Sequence, residues 1–382
     1  DGEDEARLVD GLEIVPAATV AEAVDALRSR RRARPTPPAR VELAPGGSAS
    51  TTAQAPAMAE PTPIPDLADV RGQLEARRAL EVALAGGHGL LMIGPPGIGK
   101  TMLARTIPGL LPPLTDEQAL AATIVASVSG EGPLHALVRT PPFRAPHHTS
   151  SYAAIVGGGR GPAPGEVTRA DGGVLFLDEL TEFSRDVLEA LRQPLEDGRV
   201  SIARANGSAT LPARFQLVAA TNPCPCGHAG DEHGCACPQG VPERYVGRIS
   251  GPLRDRIDLW VTLARMRTEA LVAGPDPEAS ASVAIRIAAA RATQLARPGN
   301  RLNARVAGRT LRSLARMSAK TTRRLSELGD SERLSGRGTE RLLRVARTVA
   351  DLAGSDAVEI EHLEEAARWR PPSANPPIAL AV

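Results

Sequence analysis

Gly94-Pro95-Pro96-Gly97-Ile98-Gly99-Lys100-Thr101 fits the pattern G-x-x-x-x-G-K-[ST], and its flanks decide how to read it. An apolar run from Gly89 to Ile93 (GLLMI) precedes it, and a helical pattern from Met102 to Leu111 follows. Strand, glycine-rich loop and helix in that order form a phosphate cradle. The glycines let backbone N–H groups turn inward, and the helix adds its positive end. Lys100 can reach the outer phosphates of a nucleoside triphosphate, and the Thr101 hydroxyl can ligate Mg²⁺. Gly94, Pro95, Pro96, Gly97, Ile98, Gly99, Lys100, Thr101 and Met102 are therefore the expected ATP-binding set. A glycine-rich turn matching by chance would not bring this context with it.

A phosphate cradle binds nucleotide, and hydrolysis needs an acidic partner. Gly173 to Glu179 (GVLFLDE) is an apolar run ending in two carboxylates, the form of a strand buried on both faces of a parallel sheet. Such sheets present ligands at the carboxyl ends of their strands. There Asp178 can join the Mg²⁺ shell while Glu179 orients and deprotonates water, because adjacent strand residues point to opposite faces. Capping a helix is the plainer use of the pair. A further apolar strand, Phe215 to Ala220, ends at Thr221-Asn222, where the Asn222 amide can sit between a γ-phosphate and Glu179. Arg248 and Arg256 lie just before a last strand, Leu259 to Leu263. Arg256 has Asp255 and Asp258 close by, so a local ion pair is its plain fate. Arg337 opens a helix within Ser335-Gly336-Arg337-Gly338. A helix N-terminus disfavours a cation, so an arginine there is easier to explain if it reaches an anion.

Around these motifs the chain reads as an α/β domain with a parallel sheet, then an all-helical domain. Leu12 to Val15 suggests a strand and Val20 to Leu27 a helix, capped by Thr19 with Glu22; together they look like the end of a truncated domain over 1–33. Residues 34–65 have a linker composition without periodicity. The α/β domain is expected over 66–265, opening with a helix from Asp69 to Leu84. Within it come an insertion of loops and short helices over 115–172, a helix from Ser184 to Glu196, and a cysteine loop over 223–240. A hairpin over 196–214 turns at Asn206-Gly207. Helices from Ala279 onward fill 266–370, and 371–382 reads as a loose tail.

The chain has 382 residues and net charge +1, with 42% hydrophobic and only 2% aromatic residues, so its cores must be aliphatic. No apolar run is long enough to span a membrane, and the expectation is a soluble, cytoplasmic protein. Residues 301–350 carry 13 Lys+Arg against 4 Asp+Glu, and Arg301, Arg305, Arg309, Arg312 and Arg316 recur at steps of four and three. Parts of that stretch could form one basic face for nucleic-acid phosphates, or a solvated or subunit-pairing surface. Arg199 and Arg204 on the hairpin arms are fewer but better placed for a pore. Cys224-x-Cys226 and Cys235-x-Cys237, with His228 and His233 between them, supply four thiols for a tetrahedral Zn²⁺; free thiols or disulfides are the alternatives. His147-His148 reads as structural hydrogen bonding, since adjacent histidines rarely converge on one metal.

Several stretches together carry a resemblance: GPPGIGKT, FRAPHHTSS (143–151), PGEVTRADGGVLFLDEL (164–180), ATNPCPCG (220–227), RISGPLRDRIDL (248–259) and RLLRVARTVADLAG (341–354). They resemble the magnesium-chelatase-like AAA+ ATPases, more narrowly the YifB group that includes the competence protein ComM. The resemblance covers about residues 66–370, and 1–30 looks like the end of that group's Lon-protease-like domain. It implies a P-loop AAA+ three-layer αβα domain followed by an all-helical lid. It also implies a homo-oligomeric ring, expected to be a hexamer, with Mg²⁺ and ATP at subunit interfaces. In such rings an arginine acts in trans on the neighbour's γ-phosphate, and Arg256 matches that position best, with Arg248 as the alternative. Arg337 matches the lid sensor, Asn222 the first sensor, and the hairpin at Asn206 a pore element. The implied activity is DNA branch migration in natural transformation, on single-stranded or branched DNA. The rival implication is a magnesium-chelatase ATPase subunit that drives metal insertion into a tetrapyrrole.

Overall fold

Among the described residues seven strands follow in chain order: β1 (Leu90–Ile93), β2 (Phe143–Arg144), β3 (Val174–Leu177), β4 (Arg199–Arg204), β5 (Gly207–Pro212), β6 (Gln216–Thr221) and β7 (Leu259–Thr262). Five of them form one parallel sheet in the order β2-β3-β6-β1-β7, and β4 and β5 pair as a separate antiparallel hairpin. This computed structural model describes residues 3–9, 14–17, 19, 20, 23, 63–132, 134–158, 163–204, 207–230, 234–266, 269 and 276–370.

Alternation along the strands explains the layers. Leu90, Met92, Val174, Phe176, Val218, Ala220, Leu259 and Val261 enter one core. Their neighbours Leu91, Leu175, Leu177, Leu217, Ala219 and Trp260 enter another. Both faces of the sheet are thus covered, which is why β3 and β6 are buried at every residue and read as continuous apolar runs. The first face is covered by the Leu74–Gly86 helix and, through it, by the C-terminal helices. Leu80 and Leu84 share one cluster with Val283, Ile287, Leu342, Val345 and Val349. The second face packs on Ile155, Val167, Val187, Leu188, Leu253 and Ile257. The result is a three-layer αβα domain followed by a helical region: Ser280–Leu295, Gly308–Ala315, Ala319–Ser331, Gly336–Leu352 and Ile360–Arg368. The free edge of β7 is closed by a hydrogen bond from the Trp260 N–H to the Trp369 carbonyl, 2.7 Å.

A buried polar chain ties the two regions. His88 Nδ1 lies 2.8 Å from Asp258 Oδ2 and its Nε2 lies 2.8 Å from Thr348 Oγ1. Asn303 extends the chain as an amide bridge, donating to Thr348 Oγ1 at 3.0 Å and to Asp351 Oδ2 at 2.8 Å. Burial would raise the Asp258 pKa, but the His88 hydrogen bond and the charges of His88, Arg344 and Arg341 outweigh it and hold the carboxyl below its usual range.

Several local expectations shift. The helix expected from Asp69 starts at Leu74: Asp66 caps a 3₁₀ turn over Leu67–Asp69, and Gln73 is left-handed at φ 49°. Leu74, the first residue of this helix, is 78% exposed. The helix after the P-loop ends at Arg105, and the chain passes into a 3₁₀ turn over Ile107–Gly109, because Pro108 lacks a helical N–H. The Ser184–Glu196 helix is two helices, Arg185–Ala190 and Arg192–Asp197. β2 lacked any strand signal, being two residues between Pro142 and Pro146. Only part of the arginine stretch shares one helix. Arg309 and Arg312 lie on the Gly308–Ala315 helix, whereas Arg305 ends a 3₁₀ turn, Arg301 precedes it, and Arg316 is a left-handed C-cap. Ile14 and Val15 are described without regular structure; the rest of the expected N-terminal strand and most of the Val20–Leu27 helix, with Asn206 and His233, lie outside the described residues. Among the described residues no helix is long and apolar enough to cross a membrane.

Candidate nucleotide site

The strand order explains how the motif residues meet. β6 lies between β1 and β3, so Asn222, just past β6, falls between the P-loop after β1 and the acidic pair after β3. The flanks of β1 diverge to β6 and β7, the place where an open parallel sheet leaves a crevice at its carboxyl edge. The P-loop is tied there: the Gly94 N–H donates to the Thr221 carbonyl at 3.2 Å. A Cβ on Gly94 would come within 2.7 Å of the Leu263 carbonyl oxygen. Gly97 and Gly99 need glycine for another reason, their φ of 75° and 98°, since a Cβ at either would meet nothing.

Lys100 is 8% exposed and folds back on its own loop. Nζ donates to the carbonyls of Gly94 (2.6 Å) and Pro95 (2.8 Å) and to Asn222 Oδ1 (3.1 Å). Burial lowers its pKa to about 8, although Asp178 and Glu179 act in the opposite direction. A desolvated cation at the mouth of a cradle of backbone N–H groups suits a polyphosphate. Thr101 Oγ1 donates to Asp178 Oδ2 at 2.6 Å, so a hydroxyl and a carboxylate, both oxygen donors for a hard cation, are already adjacent.

Glu179 stands apart from this pair. It takes a left-handed conformation at φ 52°, ψ 46°, a strained position for a residue with a Cβ. Its side chain turns to His148, whose Nδ1 lies 2.8 Å from Glu179 Oε2. Sequence reasoning missed this contact. The only available signal was that His148 follows β2, the strand beside β3, and β2 itself was invisible.

The three arginines divide between two places. Arg248 stays near the acidic strand's own loop, 3.7 Å from Glu182, and is 48% exposed. Arg256 lies at the opposite, amino edge of the sheet: its carbonyl lies against Gly89, the residue before β1, and two residues on the Asp258 N–H bonds to Gly89. It pairs with Glu196 at 2.8 Å, and not with the flanking aspartates. Arg337 comes to the same edge. The Glu196 carboxyl is held below its usual range first by the Arg256 hydrogen bond and, further down, by the charge of Arg337. A pocket of about 270 Å³ opens there between the layers, lined by Glu196, Arg256, Arg305 and Arg344 among others. The structure therefore brings together Lys100, Thr101, Asp178, Glu179 and Asn222, and places Arg256 and Arg337 away from them.

Known proteins share this arrangement of sequence. Residues 66–271 match the family "Magnesium chelatase, subunit ChlI", and residues 277–370 match its C-terminal family. The chain belongs to the magnesium-chelatase ChlI family. It is 46% identical over 378 residues to an uncharacterised protein of Mycobacterium tuberculosis, covering 97% of this chain and 71% of that protein. It is 44% identical over 309 residues to YifB of Escherichia coli and 45% identical over 307 residues to competence protein ComM of Haemophilus influenzae. Each match covers 80% of this chain and 60% of the relative. For a ChlI-family AAA+ protein the expected activity is that of an ATPase using ATP and Mg²⁺, and the residues at the carboxyl edge suit both.

Beside that edge the four cysteines of this ChlI-family chain converge. All four Sγ atoms lie within 4.8 Å of one another, and every cysteine is free. The sulfur of Cys224 is 3.3 Å from that of Cys226 and 3.7 Å from that of Cys235. The backbone N–H of His228, then Cys224, hold the Cys226 thiol down at about 6, whereas burial and the neighbouring thiols push those of Cys235 and Cys237 up, as befits sulfurs crowded at one place. Four such sulfurs could hold a soft or borderline metal ion.

Proposed function

We propose that this chain is the ATP-hydrolysing motor of a ring that acts on DNA, as the resemblance to the YifB group implies. The observation that carries the reading is the division of the site. Lys100, Thr101, Asp178, Glu179 and Asn222 stand at the carboxyl edge, while Arg256 stands at the amino edge. An arginine on the far edge cannot complete its own P-loop and suits a neighbour's.

In this reading Lys100 and the loop N–H groups bind the phosphates, and Thr101 and Asp178 hold Mg²⁺, which supplies charge neutralisation to the transferring group. Glu179 takes a proton from the attacking water, its carboxylate positioned by His148. Arg256 stabilises charge on the neighbour's phosphate, with Arg337 beside it, and Arg248 is left to a local role near Glu182. The cysteines hold a structural Zn²⁺. For DNA, the relative named as a competence protein and the free basic residues point the same way: Arg309, Arg312, Arg316 and Arg323 are exposed and form no ion pair among the described residues.

ATP turnover measured with single-stranded and branched DNA tests this. Turnover should rise with DNA, and the stimulation should vanish between about 50 and 200 mM salt, as phosphate contacts require. Turnover indifferent to DNA at low salt would reject the DNA motor in favour of a chelatase-type remodelling ATPase built on the same site.

A further inference from the structure

We infer that the cysteine knuckle, closed on one zinc ion, acts as a lever on ATP hydrolysis by fixing Asn222 and the P-loop. This rests on the nucleotide-site reading above and adds a control point to it.

The donor geometry comes first. A Zn–S bond of about 2.3 Å in a tetrahedron separates its sulfurs by about 3.8 Å. The spacings of 3.3, 3.6 and 3.7 Å among Cys224, Cys226 and Cys235 are close to that edge. They suit one ion; a cluster of several irons would spread its thiolates more widely. Backbone donors already serve the sulfurs, as they do around metal-bound thiolates. The Ala229 N–H points to Cys224 Sγ at 3.2 Å and the Cys237 N–H to Cys235 Sγ at 3.4 Å. Little else orders this segment. Cys235 is exposed, Cys226 and Cys237 are half-buried, and the apolar side chains of the segment's described part are few and small. Four thiols have no reason to converge in such a loop unless an ion holds them.

The coupling comes from where the knuckle is attached. Cys224 is fully buried and lies two residues after Asn222, whose Oδ1 accepts from Lys100 at 3.1 Å. Further along, at the knuckle's floor, Gly227 has φ 85°, and a Cβ there would come within 2.6 Å of Pro96 Cδ. The knuckle thus carries Asn222 at its root and presses on the P-loop at its floor. Losing the ion frees both ends together.

The test uses the whole chain, purified without chelators. Metal analysis should find about one zinc per chain, and Co²⁺ exchanged into the site should show the absorption of a tetrahedral tetrathiolate. Displacing the ion with a thiol-reactive mercurial should cut ATP turnover about tenfold or more, the scale on which supporting residues act, while a fluorescent ATP analogue still binds. Gly227→Ala removes no thiol but sets a Cβ against Pro96 at a φ that strains any residue but glycine, so it should keep its zinc and lose turnover, and the retained zinc guards against a variant that simply unfolds. Lys100→Ala should lose nucleotide binding with its zinc intact. Less than about a tenth of a zinc per chain, or iron with sulfide, overturns the zinc centre. Full turnover after displacement and in Gly227→Ala overturns the lever. A zinc-loaded protein that neither binds nor hydrolyses ATP would instead overturn the nucleotide reading, leaving the metal centre standing.

Discussion

Raising the pH from about 7.5 to about 9 should weaken nucleotide binding by an amount that Lys100 sets. Its pKa is about 8, because burial disfavours the ammonium more than Asp178 and Glu179 favour it. A bound polyphosphate stabilises the charged form and returns the pKa to the ordinary lysine range or above. The sign follows. Below about 8 the free protein already carries the proton and binding costs nothing extra; above it, a proton must be taken up with the nucleotide. The apparent Kd scales with one plus ten to the power of pH minus pKa. Between those two pH values this gives a loss of about eightfold, or about 1.3 kcal/mol. At about pH 8.5 each binding event should take up about three quarters of a proton. Calorimetry in two buffers of different ionisation enthalpy reads both quantities, and it avoids the range near neutrality where the nucleotide itself titrates. A Kd flat across this range, with no proton uptake at the alkaline end, would refute the reasoning that Lys100 sits desolvated in the cradle.

Other variants probe the remaining parts. Glu179→Gln should bind ATP as before and lose at least about a hundredfold in turnover, the lower bound of what a general base supplies; quench-flow of a single turnover would show it, and near-normal turnover would remove Glu179 from that role. His148→Ala should lower kcat by about 10- to 100-fold with nucleotide affinity little changed, because it misplaces the Glu179 carboxylate without touching the phosphate cradle. His88→Ala should destabilise the fold by about 3–5 kcal/mol in denaturant titration, since it leaves Asp258 buried with part of its compensation gone.

The P-loop and the acidic pair could be read from sequence because each is local. A loop that needs φ of 75° and 98° writes glycine at 97 and 99, and a strand covered on both faces writes VLFL before Asp178. Asn222 could be set between them because it ends an apolar run of its own, and β6 does lie between β1 and β3. His148 was not legible as a partner of Glu179: its strand is two residues long and its contact crosses from one strand end to the next. The address of Arg256 was hidden for a similar reason. Neighbouring aspartates competed for it on paper, whereas the fold supplies Glu196 from another helix. Of the arginine stretch only the part on the Gly308–Ala315 helix keeps its spacing, because steps of three and four share a face only while a helix continues. For Arg337 the sequence signal is a helix start, which says nothing of its surroundings; its charge acts on Glu196.

The central claim, that a P-loop on one subunit is completed by Arg256 of the next, is tested most directly by mixing two inactive variants. Lys100→Ala keeps Arg256 but cannot bind phosphate, and Arg256→Ala keeps the cradle but cannot serve its neighbour. Each alone should be nearly inert. Mixed and allowed to exchange subunits, they should recover turnover at those interfaces where an intact cradle meets an intact arginine, and the wild-type rate per chain should rise with protein concentration. No recovery on mixing, together with a wild-type rate per chain that is independent of concentration, would contradict the account.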